Sequence, residues 1–82
     1  MDKLRKRIDE LDAGLLKLLN ERAKCVVKIG AIKQKEESEV VDPKREKELL
    51  NRLKTLNNGP MTEKMVHLLF QEIIDTLKEL QE

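Results

Sequence analysis

Apolar residues recur in alternating steps of four and three along the first part of the chain: Leu4, Ile8, Leu11, Leu15, Leu18, then Cys25, Ile29 and Ile32. Arg22 stands at the stripe position between Leu18 and Cys25, where a leucine is expected. This is the period of a helix, and it predicts one continuous helix to about Lys35. The polar run Lys33-Gln34-Lys35-Glu36-Glu37-Ser38-Glu39 lets the pattern lapse. Asp42-Pro43 then predicts a helix start, with Asp42 as N-cap and Pro43 at the first helical position. Leu49, Leu50, Leu53 and Leu56 form the stripe of this second, shorter helix. Asn57-Asn58-Gly59-Pro60 breaks it. A third helix, starting near Thr62, carries Met65, Leu69, Phe70, Ile73, Ile74, Leu77 and Leu80 to the end. The expected fold is all-α, with one long, one short and one medium helix in a single domain spanning residues 1–82.

The length of the first helix decides the assembly expected. At the standard rise, about 34 residues make a rod roughly 50 Å long. A compact chain of 82 residues has a radius of gyration near ~12 Å, hence a diameter of roughly 30 Å. Such a helix overhangs its own domain and leaves apolar surface wet. A second copy would cover the overhang, so the expectation is an intertwined homodimeric helical bundle. The short connections favour helices that double back on one another.

Composition narrows the function classes. Charged residues are 40% of the chain and aromatics 1%, with Phe70 the sole ring. Net charge is +1, from 17 basic and 16 acidic residues. That balance lacks the basic excess and stacking rings of a nucleic-acid binder. No apolar run approaches the ~20 residues of a membrane span. The start, Met1-Asp2-Lys3-Leu4-Arg5-Lys6-Arg7, has no apolar stretch behind its basic residues and does not read as a secretory signal. The single cysteine, Cys25, cannot form an intrachain disulfide and suits a reducing cytoplasm; it reads as a small core residue. His67 has no neighbouring Cys, Asp or second His at ligand spacing and reads as structural. No metal and no cofactor are expected, and nothing resembles a nucleophile–base pair or a phosphate-cradling loop.

The candidate chemistry lies in polar residues on apolar stripes. A guanidinium buried at Arg22 needs an anion. Lys33 follows eleven residues later, within about 20° of the same face and about 16 Å along the axis. Gly30, between them, costs about 1 kcal/mol in helix propensity and leaves room for a ligand or a close helix. Arg45 and Glu46 stand four residues before Leu49 and Leu50, and Gln81 is seven past Ile74. An interior lined by Arg22, Lys33, Arg45, Glu46 and Gln81 describes a pocket for a small polyanion bearing a hydroxyl. Each residue also has a plainer reading. Arg22 could snorkel or pair with Glu21 or Glu46, and Lys33 could be a solvated lysine near the helix terminus. Arg45 and Glu46 could be a surface ion pair, Gln81 a frayed end, and Asp42 only a cap. The conjunction favours the pocket.

Leu4-Arg5-Lys6-Arg7-Ile8-Asp9-Glu10-Leu11-Asp12, Glu21-Arg22, the Gly30-x-x-Lys33 step, Asp42-Pro43-Lys44-Arg45-Glu46 and Phe70-Gln71-Glu72-Ile73-Ile74 with Gln81 resemble, in order and spacing, the signatures of all-helical chorismate mutases. The resemblance covers essentially the whole chain. It implies an isomerase that converts chorismate to prephenate, on the route to phenylalanine and tyrosine, as a homodimer with two shared sites. By position, Arg5 would come from the partner chain, while Arg22, Lys33, Asp42, Arg45, Glu46 and Gln81 come from one protomer. Geometry agrees, because Arg5 lies about 25 Å and roughly 100° around the helix from Arg22.

The resemblance also assigns roles. Cations would clamp two carboxylates, Lys33 and Gln81 would donate to the ether oxygen, and Glu46, with help near Asp42, would accept from the ring hydroxyl. Leu77 departs from those members that place a serine there. The Asn57-Asn58-Gly59-Pro60 turn and the Glu79-Leu80-Gln81-Glu82 ending are similar to mutase domains fused ahead of a 3-deoxy-heptulosonate 7-phosphate synthase, which implies a fused or associated synthase. Two rivals remain at this point: an isochorismate-pyruvate lyase of the same fold, and a non-catalytic helical dimerisation or regulatory module.

Overall fold

The computed structural model describes residues 1–36 and 42–81. Three helices follow in order: α1 (Asp2–Lys35), α2 (Pro43–Leu56) and α3 (Glu63–Lys78), and a single 3-10 turn (Glu79–Gln81) continues α3. Every regular element among the described residues is helical. The part of the charged run at Glu37-Ser38-Glu39 lies outside them.

Local chemistry sets the boundaries. The Asp42 carboxylate accepts the Arg45 backbone N–H at 3.1 Å, with Pro43 in the first turn. The Thr62 hydroxyl accepts the Met65 N–H at 3.1 Å. Each cap satisfies an amide that the helix itself cannot, a contribution of about 1 kcal/mol. Between α2 and α3, the Asn57 side chain closes the turn on both sides. Its amide nitrogen donates to the Met61 carbonyl at 2.7 Å, and its oxygen accepts the Gly59 N–H at 3.1 Å. Gly59 sits at φ 80°, which a residue with a Cβ rarely adopts. The third helix stops short of the expected end. Its last residues tighten into the 3-10 turn, a common way for a helix to close its final carbonyls.

Packing is lopsided. α2 lies on α3, and α1 meets the end of α3 and the turn beyond it, but α1 and α2 do not pack on each other. Among the described residues the buried apolar side chains of one chain are Leu50, Val66 and Ile74. Much of the α1 stripe is open, with Leu4 66%, Leu11 49% and Leu18 61% exposed. The molecule measures 51 × 23 × 16 Å with a radius of gyration of 15.3 Å, above the ~12 Å of a compact chain this long. It exposes 7132 Å², whereas a compact monomer of its mass exposes roughly 5,100 Å². The overhang expected from helix length is present.

Candidate active site

Because α1 and α2 stand apart, a cavity of about 280 Å³ opens between them, floored by the end of α3. Its wall on α1 is Arg22, Cys25, Val26, Ile29 and Lys33; α2 contributes Asp42, Arg45, Glu46 and Leu49; Ile74, Lys78 and Gln81 complete it. Six of the seven residues expected at the site therefore meet in one cavity. Arg5, near the start of α1, does not line it. Asp42, Arg45 and Glu46 occupy the N-cap and first turn of α2. The positive end of that helix thus borders the cavity and adds to the field of the cations.

Among the described residues, Arg22 pairs with neither Glu21 nor Glu46, and Arg45 and Glu46 form no ion pair with each other. Glu46 instead meets Lys78, whose Nζ is 2.8 Å from Oε2, and Gln71, whose Nε2 donates to Oε1 at 3.3 Å. The hydrogen bond to Glu46 holds the Lys78 ammonium above its ordinary value, against the opposing effect of burial; Asp75, 3.5 Å away, adds to it.

Gln81 is not frayed. It is 8% exposed, its backbone carbonyl accepts from the Gln34 amide at 3.3 Å, and its own side-chain nitrogen donates to the Val26 carbonyl at 3.4 Å. A carboxamide nitrogen carries two hydrogens, so this bond turns the donor end toward α1 with one hydrogen to spare. Gly30 makes the approach feasible by removing a side chain where the 3-10 turn crosses α1.

Some expectations change. Cys25 is exposed in this chain and lines the cavity, so it is no core residue here. Leu77 is not in the cavity wall, whereas its neighbour Lys78 is. Lys78 is not among the residues expected at the site, and Gln71 belongs only to the Phe70-Gln71-Glu72-Ile73-Ile74 signature. A signal existed: Lys78 lies four residues past Ile74 and three before Gln81, a charge on a buried stripe by the same rule that singled out Arg22. Among the described residues no group of three metal-ligating side chains occurs, and no helix is long and apolar enough to cross a membrane.

A three-helix frame around a small cavity lined by four cations, two carboxylates and one buried carboxamide defines a domain that can hold a compact polyanion. Residues 4–82 match the family described as chorismate mutase type II, and the chain belongs to that family. The bifunctional chorismate mutase/prephenate dehydratase of Aquifex aeolicus (strain VF5) is 37% identical over 86 residues, 99% of this chain and 24% of that protein. The chorismate mutase of Methanocaldococcus jannaschii is 33% identical over 79 residues, 95% of this chain and 80% of that one. The solved structure of chorismate mutase (form II) from Thermus thermophilus superposes with a TM-score of 0.96 at 35% identity, covering 98% of this chain and 91% of that chain. The chain spans about a quarter of the length of the bifunctional relative from Aquifex. That relative joins its mutase to a prephenate dehydratase, where the turn and ending had suggested a synthase.

Proposed function

We propose that residues 1–82 form one chorismate mutase domain, which isomerises chorismate to prephenate as a homodimer with shared sites. The observation that carries this reading is the meeting of Arg22, Lys33, Arg45, Glu46 and Gln81 in one cavity. The reaction is a unimolecular pericyclic shift, with no proton transfer and no covalent intermediate. It asks a protein for shape and electrostatics, and this cavity offers cations, a donor and an acceptor.

Arg22 and Arg45, with Arg5 from the partner subunit, clamp the two carboxylates and hold the enolpyruvyl arm over the ring. Most of the rate gain expected from such a clamp is orientational. As the ether bond breaks, its oxygen gathers negative charge, and Lys33 and the spare hydrogen of Gln81 donate to it. Donors fixed in advance at developing charge stabilise the transition state more than the ground state. Glu46, near Asp42, accepts from the ring hydroxyl and so sets which face of the ring is presented.

The dimer rests on area. One chain exposes about 2,000 Å² more than a compact monomer of its mass, and two such excesses together lie in the range of an obligate homodimer interface. The open α1 stripe supports the same reading and would carry Arg5 toward the partner's cavity. The name of the Aquifex relative makes a prephenate dehydratase, rather than a synthase, the fused domain to look for in a longer form of the protein. The lone Cys25 favours the cytoplasm.

The test is loss of chorismate absorbance with purified protein, with products identified. Prephenate is expected; salicylate with pyruvate would establish the lyase instead, and no turnover would establish a non-catalytic module. The absence of Trp and Tyr keeps the absorbance background low.

A further inference from the structure

We propose that Lys78 is a positioning residue of this site, which holds the Glu46 carboxylate in the orientation from which it accepts the ring hydroxyl of the substrate. The inference rests on the mutase reading above and adds a residue to it.

The geometry points to this role because both oxygens of one carboxylate are held from α3. Lys78 Nζ is 2.8 Å from Glu46 Oε2, and Gln71 Nε2 is 3.3 Å from Oε1. Lys78 and Gln71 are seven residues apart and so share one face of the helix. Asp75 lies between them and ties the two together: its Oδ1 accepts from Gln71 at 3.1 Å and is 3.5 Å from the Lys78 ammonium. An ionised carboxylate has about four lone-pair positions. Two are taken on the α3 side, which leaves the others for a hydroxyl entering the cavity. The side chains of Lys78 and Glu46 are 27% and 19% exposed, so the pair is better shielded than an ordinary surface ion pair.

A carboxylate in a cavity for a dianion repels its own ligand. Lys78 cancels that charge at contact distance and lets Glu46 act as a local acceptor without weakening the clamp. The alternative is that Lys78 swings to a substrate carboxylate. That would leave Glu46 with a neutral amide as its remaining α3 partner while a dianion sits beside it, and burying charge so poorly compensated is costly.

The experiment is a double-mutant cycle on the full chain, reading kcat and KM for chorismate with melting curves as the folding control. Lys78→Met should lower kcat/KM roughly ten-fold, as misplacing an orienting group does, and Lys78→Arg should restore most of it. In the Glu46→Gln background, Lys78→Met should change kcat/KM by less than about two-fold, because the group it positions is already gone. An equal loss in both backgrounds would mean that Lys78 touches substrate itself, and would overturn the proposal. So would full activity of Lys78→Met beside an active wild type, which leaves the mutase reading intact. A wild type that does not turn over chorismate overturns the mutase reading and this role together. If Lys78→Met does not fold, Lys78→Gln takes its place in the cycle.

Discussion

A Cβ placed on Gly30 would lie 3.0 Å from the Gln81 Cα and 3.1 Å from its Cβ and Cγ. Gly30 is the one buried residue of α1, and Gln81 is the buried end of the chain's last turn. Each is where it is because the other has that shape. Gly30→Ala sets two effects against each other. The helix gains up to about 1 kcal/mol in propensity, while Gln81 must retreat by a few tenths of an ångström. The expected result is a melting temperature changed by only a few degrees and a kcat/KM lower by about ten-fold, since the displaced group is the proposed donor. Unchanged kinetics in Gly30→Ala would remove Gln81 from the reaction.

Gln81→Glu tests the donor directly. An ionised carboxylate would face an oxygen that is gaining negative charge, and only its protonated form can donate. Turnover of this variant should rise steeply toward acid, and that of the wild type should not. A flat, near-native profile between about pH 5 and 8 would contradict the assignment.

Arg22→Ala should abolish activity and leave a folded dimer. Its guanidinium stands on an apolar stripe, half-buried in the cavity wall, with no ion-pair partner among the described residues. Removing a charge-assisted contact to a buried anion costs about 2–5 kcal/mol. Steady-state kinetics with circular dichroism and sedimentation would check both halves.

Arg5→Ala and Arg22→Ala homodimers should each be inactive, and mixing them after unfolding should bring activity back. In a mixed dimer one site takes Arg5 from the Arg22→Ala chain and Arg22 from the Arg5→Ala chain, so it is native; its twin lacks both. Random pairing makes half the dimers mixed with one good site each, so about a quarter of wild-type activity should return. Exchange of subunits without recovery would end the claim that Arg5 crosses between protomers.

The Lys78–Glu46 pair should also be visible in stability at alkaline pH. The folded chain raises the Lys78 ammonium above its ordinary 10.5, chiefly through Glu46. A raised group stabilises the fold below its unfolded value, and that contribution is lost as pH rises through the folded one. The gap in urea midpoint between wild type and Lys78→Met should hold from neutral pH to about 10 and close beyond. A gap that closes near neutral pH would argue against the pair in solution.

Much of this protein is written locally. The four-three spacing from Leu4 to Ile32 needs only the helical period to be read, and Asp42-Pro43 and Thr62 mark starts because an unpaired amide must find an oxygen within a turn. Helix length against chain length was enough to expect overhang, and Arg22 announced itself as a charge on a stripe. Other features depend on which stripes meet and at what register, which no local pattern encodes. Lys78 carried the same stripe signal as Arg22, but only the packing of α2 on α3 gave it Glu46 as a partner. Sequence left two readings of Gly30, space for a ligand or for a close helix. The tertiary structure chose the second, because the turn after α3 closes against α1 and the missing Cβ is the space through which Gln81 reaches the cavity.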